Sequence, residues 1–348
     1  MPSVRQDRWP ERCSGEAAGW LERSEDKVSR RVQFGVLLPD YCGGPVPQDF
    51  TTLGKLREFC RAVERLGFTS IWHREHFTST PTSPSSYEPV ATMSAVSQLA
   101  QNPRLGLITI LPLRHPVILA KELATIDVLS AGRVSLCCAV GYREHEFEAL
   151  GVSMADRGRR FVESVRIIKA LWTGDNVSYE GDFYRFEDVS LHPKPVQKPH
   201  PPIVIGSAGR SVDNPRRFEK LLMRAVELGE GWYAAINMTP ESIANAVAII
   251  KSCLKKMKKD VDSYSLTAHK YVYLVEGDVQ EARRTVSAVL STSVEEAGKQ
   301  HLVGSRDEII TKAEKLLATG VTHFNIAPLK FDHRAIEFFA HEVVPRYS

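Results

Sequence analysis

The sequence predicts an α/β fold, a (β/α)8 barrel, on three observations. Between Val32 and Tyr347, short apolar runs alternate with amphipathic segments, and eight strand-plus-helix units can be counted. The apolar runs are nearly continuous, which is typical of parallel strands covered on both faces. The chain has 348 residues, 43% of them hydrophobic, so it can bury the core of a barrel-sized domain. A doubly wound open sheet is the alternative fold.

The first half of the predicted barrel follows directly from the alternation. The strands are VQFGVLL, FTSIWH, RLGLITILP and RVSLCCAVG, and the helices after the first three are FTTLGKLREFCRAVERLG, YEPVATMSAVSQLA and PVILAKELATIDVLSAG. After the fourth strand, a longer excursion, GYREHEFEALGVSM, precedes the helix ADRGRRFVESVRIIKALWTG. Residues 1–30 lack periodicity and predict a loose N-terminal extension, so the barrel is expected to span residues 31–348.

Two insertions interrupt the second half. Residues 174–201 show aromatic alternation around Glu180 and Gly181, which predicts a short hairpin, followed by a Pro-rich stretch after strand four. A helix pair, DVQEARRTVSAVLS and SRDEIITKAEKLLATG, forms the second insertion, after strand seven. The remaining strands are PPIVIG, GWYAAI, SLTAHKYVYLVE and VTHFNIAP, and the remaining helices are one beginning at Pro215, PESIANAVAIIKSCLKK and HRAIEFFAHEVVPRY.

The charge of the chain indicates which partners to expect, and its cysteines indicate the redox state of its compartment. The 45 basic and 42 acidic residues are dispersed and leave a formal net charge of +3, which argues against nucleic acid or a membrane surface as the main partner. No run approaches the roughly 18 apolar residues of a membrane span. The six cysteines show no CxxC spacing, so we expect reduced thiols in the cytoplasm, with Cys137 and Cys138 as packing residues.

The candidate catalytic residues are those that follow the strands, because the active sites of such barrels lie at the C-terminal ends of the strands. The segment WHREHF, residues 72–77, follows the second strand. An imidazole there can transfer a proton near neutral pH, and Glu75 can set its tautomer; a solvated surface loop is the alternative. His73, Glu75 and His76 lack a third metal ligand at a recognised spacing, so no metal is predicted.

The loop GSAGRS, residues 206–211, follows the fifth strand and is a candidate anion-binding site. Its backbone N–H groups, two hydroxyls and Arg210 can form an anion cradle, whereas a plain tight turn is the alternative. Gly141, after the fourth strand, favours close backbone approach to a ligand because it lacks a Cβ atom.

Four segments taken together resemble the luciferase-like superfamily of (β/α)8 barrels, which includes bacterial luciferase, FMN-dependent monooxygenases and coenzyme F420-dependent oxidoreductases. They are GFTSIWHREHF, LPLRHPVILAKELATIDVLSAGRV, VGYREHEFEALGVSMADRGRRFVESVRIIKALWTG and GDFYRFEDVSLHPKPVQKPHPPIVIGSAG. The resemblance implies a flavin or deazaflavin in the barrel mouth. Its implied contacts are Thr109, Gly141, Tyr142, Gly206, Ser207, Ala208, Gly209 and Arg210, with a non-prolyl cis peptide around Ile108 to Ile110.

The resemblance also implies a catalytic pair, since Glu75 and His76 match the acidic residue and His of luciferase. It implies a two-component monooxygenase, in which a separate reductase supplies reduced FMN for reaction with O2 and a small organic substrate. It also implies that this chain forms a homodimer. The alternatives are F420-dependent hydride transfer, with Lys194, Lys198 and Arg210 on the cofactor tail, and flavin binding without catalysis. The expected substrate contacts are Tyr41, Phe77, Tyr142 and Trp232.

Overall fold

The computed structural model describes residues 31–39, 53–78, 86–207, 209, 211–277, 279–290, 292–331 and 333–347. The predicted N-terminal extension and the predicted site residues Tyr41, Ala208 and Arg210 lie outside these ranges. The strands are β1 Gln33–Leu37, β2 Ser70–Arg74, β3 Arg104–Ile110, β4 Val134–Ala139, β5 Val177–Glu180, β6 Arg185–Val189, β7 Ile203–Ser207, β8 Gly231–Ala234, β9 Ser265–Leu274, β10 Leu302–Gly304 and β11 His323–Pro328.

Eight of these strands close into a parallel barrel in the order β1-β2-β3-β4-β7-β8-β9-β11, with β11 pairing back onto β1. The closing pairs β1–β11 and β8–β9 are both parallel. The predicted (β/α)8 barrel is therefore confirmed, and the open-sheet alternative is wrong.

Helices cover the outside of the barrel. They are α1 Leu53–Arg65, α2 Pro89–Leu99, α3 Pro116–Leu129, α4 Glu144–Ala149, α5 Arg157–Thr173, α6 Pro215–Leu228, α7 Pro240–Lys256, α8 Val279–Leu290, α9 Val294–Gln300, α10 Arg306–Leu317 and α11 Arg334–Glu342. Asn214 caps α6 by accepting a hydrogen bond from Arg217 N, and Pro215 takes the first helical position as predicted. No helix in the described ranges is both long and apolar enough to cross a membrane.

Successive residues of each barrel strand face opposite ways, into the barrel interior or toward the helices. In β2, Trp72 packs with the interior cluster while Ile71 packs under the helices. Gly106 of β3 makes room for the Trp72 ring, since a Cβ atom at this glycine would lie 2.0 Å from Trp72 Cδ2. The inward or outward direction of each residue decides which side chains can reach a ligand in the mouth.

Both predicted insertions are present. Strands β5 and β6 form an antiparallel hairpin, and the buried Glu163 carboxylate of α5 accepts hydrogen bonds from Asp182 N and Phe183 N at its turn. After β9, the chain forms α8, α9 and β10, and β10 pairs with β9 beside the barrel. The elements α9 and β10 were not predicted, because seven and three residues are too short to show a periodic pattern.

Candidate active site

Glu75 joins the ends of β2 and β3 at the mouth of the barrel. Its buried carboxylate accepts hydrogen bonds from Ile110 N at 2.7 Å and from Arg114 Nε at 2.7 Å. Arg114 also contacts Glu88, the N-cap of α2. Burial raises the pKa of the Glu75 carboxyl, while the Arg114 guanidinium opposes that shift. Since both oxygens are engaged, Glu75 orders the strand ends that carry the neighbouring imidazole.

His76 lies at the rim of the mouth, against the helix that follows β4. Its Nδ1 atom is buried and lies 3.4 Å from Oε1 of Glu146, a side chain with 0% exposure. The backbone N of His76 donates to Ser86 Oγ at 2.9 Å. Burial lowers the pKa of His76, and the charges of Arg143 and Arg74 add to this effect, although Glu146 opposes it. The imidazole is therefore neutral at neutral pH.

Two further predicted residues border His76. The Tyr142 ring meets the His76 ring edge-on, with 6.0 Å between centroids, and 46% of Tyr142 is exposed at the rim. Phe77 N donates to Glu146 Oε1 at 2.8 Å, and the Phe77 ring lies 5.3 Å from the Arg114 guanidinium carbon. The structure thus brings Glu75, His76, Phe77 and Tyr142 together.

His73 faces away from this group. Its Nε2 atom lies 3.0 Å from Tyr87 O, and its place in β2 turns it toward the helices, whereas Trp72 and Arg74 face the interior. His73 and His76 therefore do not converge on one point. Among the residues that the structure describes, no group of three or more His, Cys, Asp or Glu side chains is arranged to hold a metal ion.

A polar floor lies inside the barrel beneath His76, formed by Arg74, Tyr233, His269, Tyr271, His301 and Asn325. The Arg74 guanidinium carbon lies 5.1 Å from the Tyr271 ring, which meets His301 at 5.0 Å. Asn325 Nδ2 donates to the Tyr233 hydroxyl at 3.0 Å. The Nδ1 atoms of His269 and His301 are buried without a hydrogen-bond partner. Burial and the charges of Lys270 and Arg74 lower the pKa of both histidines, that of His301 to about 3.

Gly141 is required by packing as well as by conformation. Its φ of +76° is unfavourable for other residues, and a Cβ atom there would lie 2.6 Å from Ile110 Cγ2 and 2.8 Å from Phe147 Cε2. The glycine therefore lets the β4 end pack closely against β3 and α4, directly before Tyr142.

The described part of the predicted phosphate loop begins at the end of β7. Gly206 pairs with Ala139 of β4, and the Ser207 hydroxyl oxygen is buried with no hydrogen-bond partner. A Cβ atom at Gly209 would lie 2.3 Å from Ala235 Cβ, so this loop packs tightly on the segment after β8. The first turn of α6 is capped by its own Asn214, which leaves the loop itself to supply donors.

Thr109 and Trp232 do not present their side chains to the mouth. Thr109 pairs with Cys138, which packs under the helices, so it faces outward, whereas Ile108 faces the interior. Trp232 is fully buried in the same outer layer, and its neighbour Tyr233 faces inward. The peptide bonds around Ile108 to Ile110 are trans, since the cis bonds of the described ranges precede Pro193 and Pro199.

Lys194 and Lys198 lie at the opposite end of the barrel from the mouth. Lys194 Nζ donates to Leu171 O at 2.9 Å near the end of α5, and Lys198 Nζ donates to Pro195 O at 3.3 Å. Gln197, between them, donates to the carbonyl of Val134, the first residue of β4. The prediction that these lysines contact a cofactor tail in the mouth is therefore wrong.

The comparisons with known proteins agree with this architecture. The chain matches the model of the luciferase-like monooxygenase family over residues 32–322 and belongs to that family. It is 29% identical over 292 residues to the FMNH2-dependent dimethylsulfone monooxygenase of Pseudomonas putida, covering 81% of this chain and 75% of the relative. It is 26% identical over 325 residues to the F420-dependent glucose-6-phosphate dehydrogenase of Amycolatopsis mediterranei, covering 84% of this chain and 93% of that enzyme.

A solved structure shares the fold. The monooxygenase RslO1 of Streptomyces bottropensis superposes with a TM-score of 0.76 at 23% identity, over 91% of this chain and all of RslO1. At this identity the likeness concerns the barrel alone. The expected resemblance to luciferase-like enzymes is confirmed by the family match.

Proposed function

We propose that this chain is the oxygenase component of a two-component monooxygenase that uses reduced FMN and O2 on a small organic substrate. The observation that carries the proposal is the position of the His76 imidazole at the rim of the barrel mouth, with Nδ1 3.4 Å from Oε1 of the buried Glu146. The likeness to an FMNH2-dependent monooxygenase over most of both chains supports the same cofactor.

The residues of the mouth fit a flavin with an anionic tail. The Ser207 hydroxyl, at the start of the proposed phosphate loop, is buried with its hydrogen-bonding capacity unused. The floor offers the Arg74 cation and two ring nitrogens, on His269 and His301, that are buried without partners. Buried polar atoms are rarely left without partners, so these groups are suited to a polar ligand. We assign the phosphate to the loop from Gly206 and the ring to the floor.

Each part of the mouth then has a chemical task. Reduced FMN, when bound, would supply the electrons that activate O2. His76 would hold or transfer a proton at Nε2, while Glu75 keeps the end of β2 fixed against β3. Phe77 and Tyr142 border the imidazole and would contact the substrate and exclude water. Tyr41 belongs to the same proposal as a substrate contact.

F420-dependent hydride transfer is the second candidate, because this chain aligns with 93% of the length of an F420-dependent dehydrogenase. The longer anionic tail of F420 needs cations near the mouth. Of the three cations that the sequence offered for this tail, Lys194 and Lys198 are at the other end of the barrel. This placement favours FMN.

The proposal includes a partner enzyme, a homodimer and a cytoplasmic location. The sequence has no GxGxxG after a strand, so a separate reductase would deliver the reduced flavin. Exposed apolar side chains on α3, Ile118 at 59% and Leu129 at 60%, support a dimer through the early helices, which light scattering would test. Cys60, Cys137, Cys138 and Cys253 are buried and form no disulfide, as expected in a reducing compartment.

Isotope labelling tests the proposed reaction. The protein is supplied with FMN, NADH and an unrelated flavin reductase under 18O2, with catalase present, and a panel of small organic compounds is analysed by mass spectrometry. We expect one labelled oxygen atom in a product that requires this chain. Substrate turnover with F420 and no incorporated label would favour the second candidate, and tight flavin binding with no turnover would indicate a flavin-binding protein without catalysis.

A further inference from the structure

We propose that Glu146 is a positioning residue, which holds the His76 imidazole as its Nδ1–H tautomer and leaves Nε2 as the nitrogen that exchanges a proton in the mouth. The consequence for turnover rests on the function proposed above. The tautomer itself is a property of the protein without cofactor, so the two proposals can fail separately.

The first argument is the position of the Glu146 carboxylate. It comes from the first turn of α4, reaches across to the residues that follow β2, and is completely buried. Oε1 is fixed by the hydrogen bond from Phe77 N at 2.8 Å and lies 3.4 Å from His76 Nδ1, while Oε2 is buried with no hydrogen-bond partner. Arg143 Nη1 lies 4.0 Å from the same Oε1 atom, beyond hydrogen-bond distance. An ionised carboxylate so placed needs a nearer donor, and the Nδ1–H group of His76 is the nearest ring donor available.

The second argument concerns His76. Its Nδ1 atom is buried with no partner at a normal hydrogen-bond distance, although 15% of its side chain is exposed. The accessible part of the ring therefore lies away from Nδ1. A neutral imidazole carries one proton, and an Nδ1 lone pair facing a carboxylate would be repelled. The Nδ1–H tautomer avoids this repulsion and places the basic Nε2 toward the accessible side.

Among the charges around the His76 ring, the Glu146 carboxylate is the one that favours protonation of the imidazole. Arg143, beside α4, and Arg74, the last residue of β2, both oppose protonation of His76, while Glu146 favours it. The Tyr142 ring packs edge-on against the imidazole and adds no net charge. Although burial favours the neutral acid, contact with His76, the Arg143 charge and the Phe77 N–H together lower the pKa of Glu146, so it is ionised at neutral pH. When Nε2 accepts a proton, the imidazolium faces this anion.

Nitrogen NMR on protein labelled with 15N-histidine tests the proposal. The His76 signals are assigned as those lost in His76→Asn, and the wild-type tautomer is read from its two nitrogen shifts. We expect the Nδ1–H form in the wild type. In Glu146→Gln, which keeps an amide oxygen for Phe77 N–H but removes the charge, the His76 pKa should fall by about one unit or more. Glu148→Gln, an exposed change on the same helix, should leave it unchanged.

A wild-type His76 in the Nε2–H form, or an unchanged His76 pKa in Glu146→Gln, would overturn the proposal. If Glu146→Gln does not fold, the wild-type tautomer still decides. Glu146→Asp keeps the charge with a shorter reach and should lower the pKa less than Gln. If the tautomer and the pKa respond as expected but no oxygen is transferred with reduced FMN, the monooxygenase assignment fails and the role of Glu146 stands.

Discussion

The two ends of the barrel differ in whether their buried polar atoms have hydrogen-bond partners. At the N-terminal end, Gln197 donates to the Asp127 carboxylate from both its backbone and its side chain, at 3.1 and 2.7 Å, and accepts from Arg104 at 2.8 Å. At the C-terminal end, Ser207, His269 and His301 keep buried atoms without partners. The first network supports the fold, whereas the second has unused hydrogen-bonding capacity that a ligand can satisfy. We therefore expect stability and function to depend on separate ends of the barrel.

The largest expected effect is on turnover, from His76→Asn at the mouth. General acid–base catalysis contributes about 10²- to 10⁴-fold, so turnover should fall by that factor while reduced FMN still binds. Steady-state kinetics and a binding titration measure the two properties. His192→Asn is the matched control, since that side chain is 67% exposed on the insertion. Undiminished turnover in His76→Asn would remove His76 from the mechanism.

The next largest effect is on stability, from Asp127→Ala at the N-terminal end. This change removes the acceptor of Gln197 N and leaves Gln197 Nε2 with Val134 O alone. It should lower the free energy of unfolding by about 3 kcal/mol, with activity per folded molecule retained. Chemical denaturation measures it, with the 59% exposed Asp175→Ala as the control. A loss of activity without a loss of stability would contradict the separation of the two ends.

The pH dependence of stability gives a further test of the N-terminal end of the barrel, at His323, the first residue of β11. Burial lowers its pKa from 6.5 to about 4, so the unfolded chain binds a proton first as the pH falls. This group therefore costs no stability above about pH 6.5 and reduces it increasingly between pH 6.5 and 4. At pH 5, His323→Asn should remove about 1–2 kcal/mol of the acid destabilisation expected for the wild type. Parallel pH slopes in denaturant melts of the two proteins would argue against this account.

The smallest effect is expected from His269→Leu in the floor. The Nδ1 atom of His269 has no partner, although the ring makes a hydrogen bond with the backbone of Ala234. Replacement by Leu should therefore change the free energy of unfolding by no more than about 1 kcal/mol. The affinity for reduced FMN should fall by about tenfold, the upper end of what one ordinary hydrogen bond contributes. Calorimetry would measure the affinity and denaturation the stability. A strongly destabilised variant with unchanged affinity would make His269 a structural residue.

The sequence predicts the barrel because alternation over eight units has few other solutions. It does not reveal which residues of a strand face inward, since parallel strands are apolar on both faces. The family resemblance implies contacts for Thr109, and Trp232 is an expected substrate contact, whereas Ile108 and Tyr233 are the residues that face the interior. Only the pairing register settles the direction.

Glu146 was not predicted because the sequence around it reads as a solvated face. Glu144 and Glu148 are exposed on the same short helix, and only Glu146 turns inward with Phe147. Its burial depends on α4 docking beside β2, which is a long-range contact without a local signal. Arg114 was missed for the same reason, since its partner Glu75 is 39 residues away in the chain.

An anaerobic titration tests the central claim most directly. The purified wild-type protein is titrated in parallel with reduced FMN, oxidised FMN and F420, and binding is followed by cofactor absorbance or fluorescence and by heat. We expect reduced FMN to bind more tightly than the other two. Preferential binding of F420 would contradict it and would make the chain a hydride-transfer enzyme.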